Sequence, residues 1–285
     1  MSRVWFNGAM TEGPLMVDAR DRGLTLGDGV FETLMVLNRS PLWANMHLAR
    51  FQASALELGL PFDRTIVDDA IAEVVGGAGT GHHVLRITLT RGSGSRGLAG
   101  NGATPSLLLS LDPFDAALMF QPLALVTATV RRNPASPASR LKTISYIDNI
   151  MAAREAAARG MEDALMLNGA GRACCSTIAN LFMLKGETLS TPSRDQGILT
   201  GVMRQALLAS AQHLGFDTEE RAIAPAELLN ADAVFLTNSL RFIRPVRALD
   251  HQPLATADVS RLIDALCDSA RLQCGLDPRV DLSAT

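Results

Sequence analysis

The sequence predicts a mixed α/β (α+β) chain of two lobes. Three observations lead there. Segments that alternate with period two are interspersed, along the whole length, with segments that repeat near 3.6 residues. No single long strand–helix–strand series dominates. The pattern breaks at Asp112-Pro113-Phe114, so the boundary falls within 112–122, and we divide the chain into an N-terminal domain 1–116 and a C-terminal domain 117–285. A length of 285 residues accommodates two ordinary domains.

The elements follow in order. Residues 3–20 read as a short strand pair around Asn7-Gly8, and 29–38 as a further strand. Residues 45–60 place Met46, Leu48, Ala49, Phe51, Ala55, Leu56 and Leu58 near helical spacing, and a second helix covers about 65–75. Residues 83–91 alternate, with Leu85, Ile87 and Leu89 opposite Arg86, Thr88 and Thr90, which predicts a half-buried strand. Strands are expected at 105–111 and 122–131, then a helix at 146–159 with Gly160 as its C-cap. Strands near 163–168, 180–185 and 231–237, a helix from Gly201 to about Gly215 and a closing helix at 257–273 complete the reading.

The composition, 47% apolar and 19% charged, is globular, and a net charge of −3 argues against a broad surface for nucleic acid. No signal peptide and no apolar run long enough for a membrane span are visible. Cys174, Cys175, Cys267 and Cys274 match neither zinc spacing nor a CxxC motif, so free thiols and a cytoplasmic home are expected, with no metal. No GxSxG elbow and no GxGxxG opening a βαβ unit is present, which disfavours a hydrolase elbow and a nicotinamide dehydrogenase.

Lysine is nearly absent. Of 26 Lys and Arg residues only Lys142 and Lys185 are lysines. A lysine amine can act as a nucleophile and form a Schiff base, which Arg cannot. Lys185 lies in Leu184-Lys185-Gly186-Glu187, an expected hairpin turn. Lys142 lies between a strand-like run and a helix and is the first candidate for covalent chemistry; a solvated strand-end lysine is the plain alternative. Taken alone, Gly27-Asp28-Gly29 reads as a hairpin. Thr90-Arg91-Gly92 through Arg96-Gly97 forms a basic glycine loop able to meet a carboxylate or phosphate, or else a flexible hairpin tip. Gly201-Val202-Met203-Arg204 opens a helix whose free N–H groups suit an anion. Thr237-Asn238-Ser239 ends a strand with three polar side chains, a phosphate contact or a plain turn.

Taken in order, these segments resemble the class IV, fold-type IV pyridoxal-phosphate (PLP) enzymes: branched-chain and D-amino acid aminotransferases and 4-amino-4-deoxychorismate lyases. The matching pieces are Asp21-Arg22-Gly23, Gly27 to Glu32, His47 to Arg50, Thr90 to Gly97, Leu141-Lys142, Ser176 to Phe182 and Gly197 to Arg204. The resemblance implies a two-lobed fold with PLP in the cleft between the lobes. It implies that Lys142 holds PLP as a Schiff base and shuttles the proton. Arg50, the Val202 and Met203 N–H groups and Ser239 would bind the phosphate. Thr33 would lie near the reaction centre, and Phe31, Arg91 and Arg96 would contact a small amino substrate bearing a carboxylate. A homodimer is expected.

One position departs from the family. The glutamate expected five residues before Asn180, against the pyridine nitrogen, is Cys175. A carboxylate keeps that nitrogen protonated and the ring a strong electron sink; a neutral thiol does so poorly. Elimination can instead drain charge through a leaving group. The first reading is therefore a 4-amino-4-deoxychorismate lyase. A transaminase of D-amino acids, branched-chain amino acids or small amines is second, and a non-catalytic PLP-binding protein third.

Overall fold

The computed structural model of the chain describes residues 2–79, 81–100 and 102–282, without the side chains of 102 and 103. Two compact units form. The first joins Met1–Asp115 with Leu141–Ser145 and Ala270–Leu276; the second comprises Ala116–Arg140, Tyr146–Ser269 and Asp277–Thr285.

The first unit contains β1 (Arg3–Phe6), β2 (Ala9–Thr11), α1 (Arg22–Leu26), β3 (Gly29–Leu37), β4 (Ser40–Pro41), α2 (Ala44–Glu57), α3 (Arg64–Gly76), β5 (His83–Gly94) and β6 (Gly102–Pro113). Its strands form one antiparallel sheet in the order β2-β1-β6-β5-β3-β4. The expected alternation sets the faces. Leu85, Ile87 and Leu89 of β5 join Val30, Leu34 and Val36 of β3, Leu48, Phe51 and Ala55 of α2, and Val67, Ile71 and Val74 of α3 in one core. Asp63 caps α3 through its side chain, accepting from the Thr65 and Ile66 N–H groups.

Two expectations change here. Gly27-Asp28-Gly29 is no hairpin: Gly27, at φ 69°, ends α1 in the left-handed conformation, and β3 begins at Gly29. The segment carrying Lys142, expected in the C-terminal domain, packs in the first unit. Backbone pairing holds it there. The Phe31 N–H donates to the Lys142 carbonyl at 2.9 Å, and the Ile144 N–H to the Gly29 carbonyl at 3.0 Å.

The second unit contains β7 (Leu123–Arg132), α4 (Pro137–Arg140), α5 (Ile147–Ala158), β8 (Asp163–Asn168), β9 (Ala173–Cys175), β10 (Asn180–Lys185), β11 (Thr188–Pro192), α6 (Val202–His213), β12 (Asp217–Arg221), α7 (Pro225–Leu229), β13 (Ala233–Asn238), β14 (Phe242–Leu249) and β15 (Gln252–Pro253). A last helix, α8 (Ser260–Cys274), begins in this unit and ends in the first. The strands run β12-β11-β10-β13-β14-β7-β8-β9, and β9 also pairs with β10 through Cys175 and Asn180. That pair closes a six-strand circuit and sets Cys175 opposite Asn180. Lys185 lies at the β10–β11 turn, where its Nζ donates to Asp232 at 2.7 Å, as a hairpin-tip lysine should.

Candidate active site

In the first unit, β3 carries chemistry on both faces. Phe31 and Thr33 point to one side, and Glu32 between them points to the core side with Val30 and Leu34. On the first side, Lys142 Nζ lies 4.3 Å from the centroid of the Phe31 ring. Arg86 Cζ lies 3.8 Å from the same centroid. Arg86 pairs across the strands with Thr33, so these side chains share a face. Two cations on one ring make a local positive field suited to an anionic substrate.

On the core side, Glu32 has no exposed surface. The Arg50 guanidinium donates to it from Nε and Nη2, each at 2.7 Å, and His47 Nδ1 lies 2.7 Å from its Oε2. Burial pushes the Glu32 pKa up, but the Arg50 charge and the bonds from His47 and Arg50 outweigh it and hold the value at about 2. Burial also pushes His47 down despite the Glu32 carboxylate. The pair is therefore a carboxylate and a neutral imidazole. A carboxylate only accepts, so Nδ1 carries the proton and donates it. This fixes the Arg50 fork before any ligand arrives.

The Asp21 to Arg96 region behaves differently from expectation. Arg91, expected to bind substrate, donates to Asp28 from Nε at 2.8 Å and from Nη2 at 3.2 Å. Its Nη1 and Nη2 also reach the Gly59 and Leu58 carbonyls at 2.9 and 2.6 Å. With its nitrogens engaged by its own unit, Arg91 is scaffold. Arg96, in the β5–β6 loop, is exposed.

In the second unit, α6 begins at Gly201 with no side-chain cap, which leaves first-turn N–H groups, those of Val202 and Met203 among them, for another acceptor. Asn180 shapes this entry. Its Nδ2 donates to the Leu199 carbonyl at 2.8 Å, and its Oδ1 occupies a point 2.0 Å from where a Gly201 Cβ would sit. Only glycine fits there. Thr237 is the cross-strand partner of Asn180, and its buried Oγ1 has no hydrogen-bond partner among the described residues. Ser239 follows in a turn that Asn238 closes by accepting from the Leu240 and Arg241 N–H groups.

Cys175 lies in an apolar cluster with Met166, Ala152, Ala156 and Ile198. Burial pushes its thiol pKa up, against the pull of the Arg132 charge. Its neighbour Cys174 donates to the Gln196 carbonyl at 3.0 Å. Burial thus favours the neutral thiol at Cys175, where the sequence alone left thiol and thiolate open.

Sequence reasoning gave no role to Glu32, His47 or Arg86. The signal for the first two was present: His47 and Arg50 stand three apart on one helix, one face toward the glutamate. Arg86 offered only a charge on the polar side of a strand, which ordinarily means solvent. Thr237 stood in the strand-end triplet without distinction from its neighbours.

The family model for amino-transferase class IV matches residues 29–249. The chain belongs to this PLP-dependent family, and it is an enzyme of that class. It is 28% identical over 258 residues to the D-alanine aminotransferase of Bacillus licheniformis, covering 89% of this chain and 90% of that one. The structure resembles the 4-amino-4-deoxychorismate lyase of Pseudomonas aeruginosa, with a TM-score of 0.84, 32% identity and coverage of 93% of this chain and 98% of the other. It also resembles the branched-chain aminotransferase of Thermoproteus uzoniensis solved with norvaline, with a TM-score of 0.88, 25% identity and coverage of 96% and 95%. These likenesses establish a fold-type IV architecture.

The cofactor of this family is pyridoxal 5'-phosphate, and the residues present fit it. A lysine amine beside an aromatic ring suits the aldehyde. A glycine-only helix entry, with an orphaned threonine hydroxyl on the strand pair that shapes it, suits a phosphate. Among the described residues no helix is long and apolar enough to cross a membrane.

Proposed function

We propose that the protein is a 4-amino-4-deoxychorismate lyase, releasing p-aminobenzoate and pyruvate. The observation that carries this reading is the buried neutral thiol of Cys175 where the family's glutamate is expected. The likeness to the Pseudomonas aeruginosa lyase at 32% identity supports it.

Lys142 would hold the cofactor covalently. Arg50, steadied by Glu32 and His47, would bind the phosphate together with the Val202 and Met203 N–H groups, Thr237 and Ser239. Cys175 would face the pyridine nitrogen. When bound, PLP supplies the electron sink for breaking the C–H bond at the amine-bearing carbon. The Lys142 amine, released from the cofactor when the substrate amine takes its place, would take that proton. Loss of the enolpyruvyl group as its enolate would break the C–O bond and leave the ring aromatic, the enolate would take up a proton to give pyruvate, and return of the Lys142 amine to the cofactor would release p-aminobenzoate. The chemistry needs a weaker sink than transamination, because the leaving group and the aromatising ring accept the charge. Thr33, beside this centre, would orient the substrate.

The substrate carries two carboxylates. Arg96 would hold one. For the other we assign Arg86 in place of Arg91, since Arg86 is exposed and stacks on the ring that Lys142 also touches. The second reading is a transaminase, favoured by the likeness to the Bacillus licheniformis D-alanine aminotransferase over 90% of its length. The two are separated by offering the PLP-loaded protein aminodeoxychorismate, then D- and L-amino acids with a 2-oxo acid. Release of p-aminobenzoate with pyruvate supports the lyase. Amino-group transfer without that release supports the transaminase.

A further inference from the structure

The motif Asp21-Arg22-Gly23 and the aspartate of Gly27-Asp28-Gly29 have no part in the chemistry above, yet they are among the most tightly bonded groups in the first unit. Arg22 is only 5% exposed. Its Nε donates to Asp28 Oδ2 at 2.9 Å. Its Nη1 and Nη2 donate to two consecutive carbonyls across the sheet, Gly97 at 2.8 Å and Leu98 at 2.9 Å. Asp28 is shared: the same Oδ2 accepts from Arg91 Nε. Asp21 adds a second tie, accepting from the Thr90 and Ser106 hydroxyls at 3.0 and 2.7 Å at the base of the same hairpin.

We propose that Arg22, set by Asp28 and Arg91, is a positioning residue that holds the β5–β6 loop so that Arg96 stands ready for a substrate carboxylate. This rests on the reading in which Arg96 binds a carboxylate. The loop needs such a clamp. Gly97 and Gly100 within the loop would leave it free to wander, and a wandering arginine loses affinity to the entropy of being ordered on binding. Pinning the two carbonyls that follow Arg96 removes that loss before substrate arrives. The clamp also adjoins the Lys142 segment, because the Ser145 hydroxyl donates to the Gly27 carbonyl at 3.2 Å. Only a planar fork can span a carboxylate and two carbonyls in this way, so lysine should not replace Arg22.

The test uses the PLP-loaded enzyme and its Arg22→Lys, Arg96→Ala and double variants. Trypsin nicking after Arg96 reports the loop directly, since exposed mobile tips are the preferred sites of cleavage. Arg22→Lys should be nicked at least about tenfold faster than the parent. It should raise KM for the carboxylate substrate by about tenfold and leave kcat within about twofold, the pattern of lost binding rather than lost chemistry. In the Arg96→Ala background it should add nothing to KM, because the clamp acts through Arg96. An equal KM effect with and without Arg96, or unchanged nicking, would overturn the clamp. An unchanged KM in Arg96→Ala alone overturns the assignment of Arg96 to a carboxylate, and with it the clamp's purpose, even if nicking rises. Should Arg22→Lys fail to fold, the parent enzyme still decides: nicking after Arg96 as rapid as in an unstructured peptide would contradict a pinned loop.

Discussion

Glu32 stays ionised with no exposed surface, and Arg50 explains why. Removing that charge should cost stability. Glu32→Gln leaves the Arg50 guanidinium, whose side chain is 13% exposed, without its carboxylate, and such a loss is worth about 3–5 kcal/mol. Denaturant unfolding at neutral pH measures it. The pH sign follows from the lowered pKa. The stabilisation is complete above the ordinary value of 4.5 and drains as pH falls through about 2, so parent and variant should converge in stability as the solution is acidified across that window. At Cys175 the prediction is chemical. Cys175→Glu should raise the rate at which amino acids convert bound PLP to its aminated form, followed by absorbance, because a carboxylate there restores the strong sink. An unchanged rate would mean that Cys175 does not face the ring nitrogen. Lys142 and Cys175 stood out as candidates because their residue types are rare or out of pattern in this sequence. Arg86 was not, because a charge on a strand's polar face ordinarily means only solvent.

At the scale of elements, the entry to α6 makes the sharpest demand. A Gly201→Ala Cβ would lie 2.0 Å from Asn180 Oδ1, and the Asn180 side chain is itself tied to the Leu199 carbonyl. We expect Gly201→Ala to weaken PLP binding at least about tenfold, about 1.4 kcal/mol, in a spectroscopic titration of the apoprotein. Thr237→Val should weaken it less and leave the fold intact, since Oγ1 makes no bond within the described residues. The helices α2, α3, α5 and α6 and strands β3, β5, β7, β8 and β10 all fell close to their expected positions, because period-two and 3.6-residue patterns reflect one buried face each. Short elements did not announce themselves. The five-residue α1 hides within a glycine-rich stretch, and β12, Asp217–Arg221, is a polar strand that its parallel pairing with β11 alone reveals. The three-residue β9 is too short for a period-two pattern to announce, so the Cys175–Asn180 pairing across the turn at 176–179 could not be read in advance.

At the scale of the molecule, the first unit presents Met16, Leu24 and Leu98 at 90%, 69% and 84% exposure. Such groups mark a contact surface where they gather into one patch. The homodimer stays a proposal that rests on the family resemblance, and we expect light scattering to return twice the chain mass. The division into units also explains why the lysine was misplaced in advance: residues 141–145 return to β3 after the chain has already entered the second unit, a crossing that periodicity cannot signal. The central claim concerns the reaction. PLP-loaded protein given aminodeoxychorismate should release p-aminobenzoate and pyruvate in equal amounts, and Lys142→Ala should release neither. Turnover that instead moves the amino group to a 2-oxo acid, with no p-aminobenzoate formed, would contradict the lyase and leave a class IV transaminase.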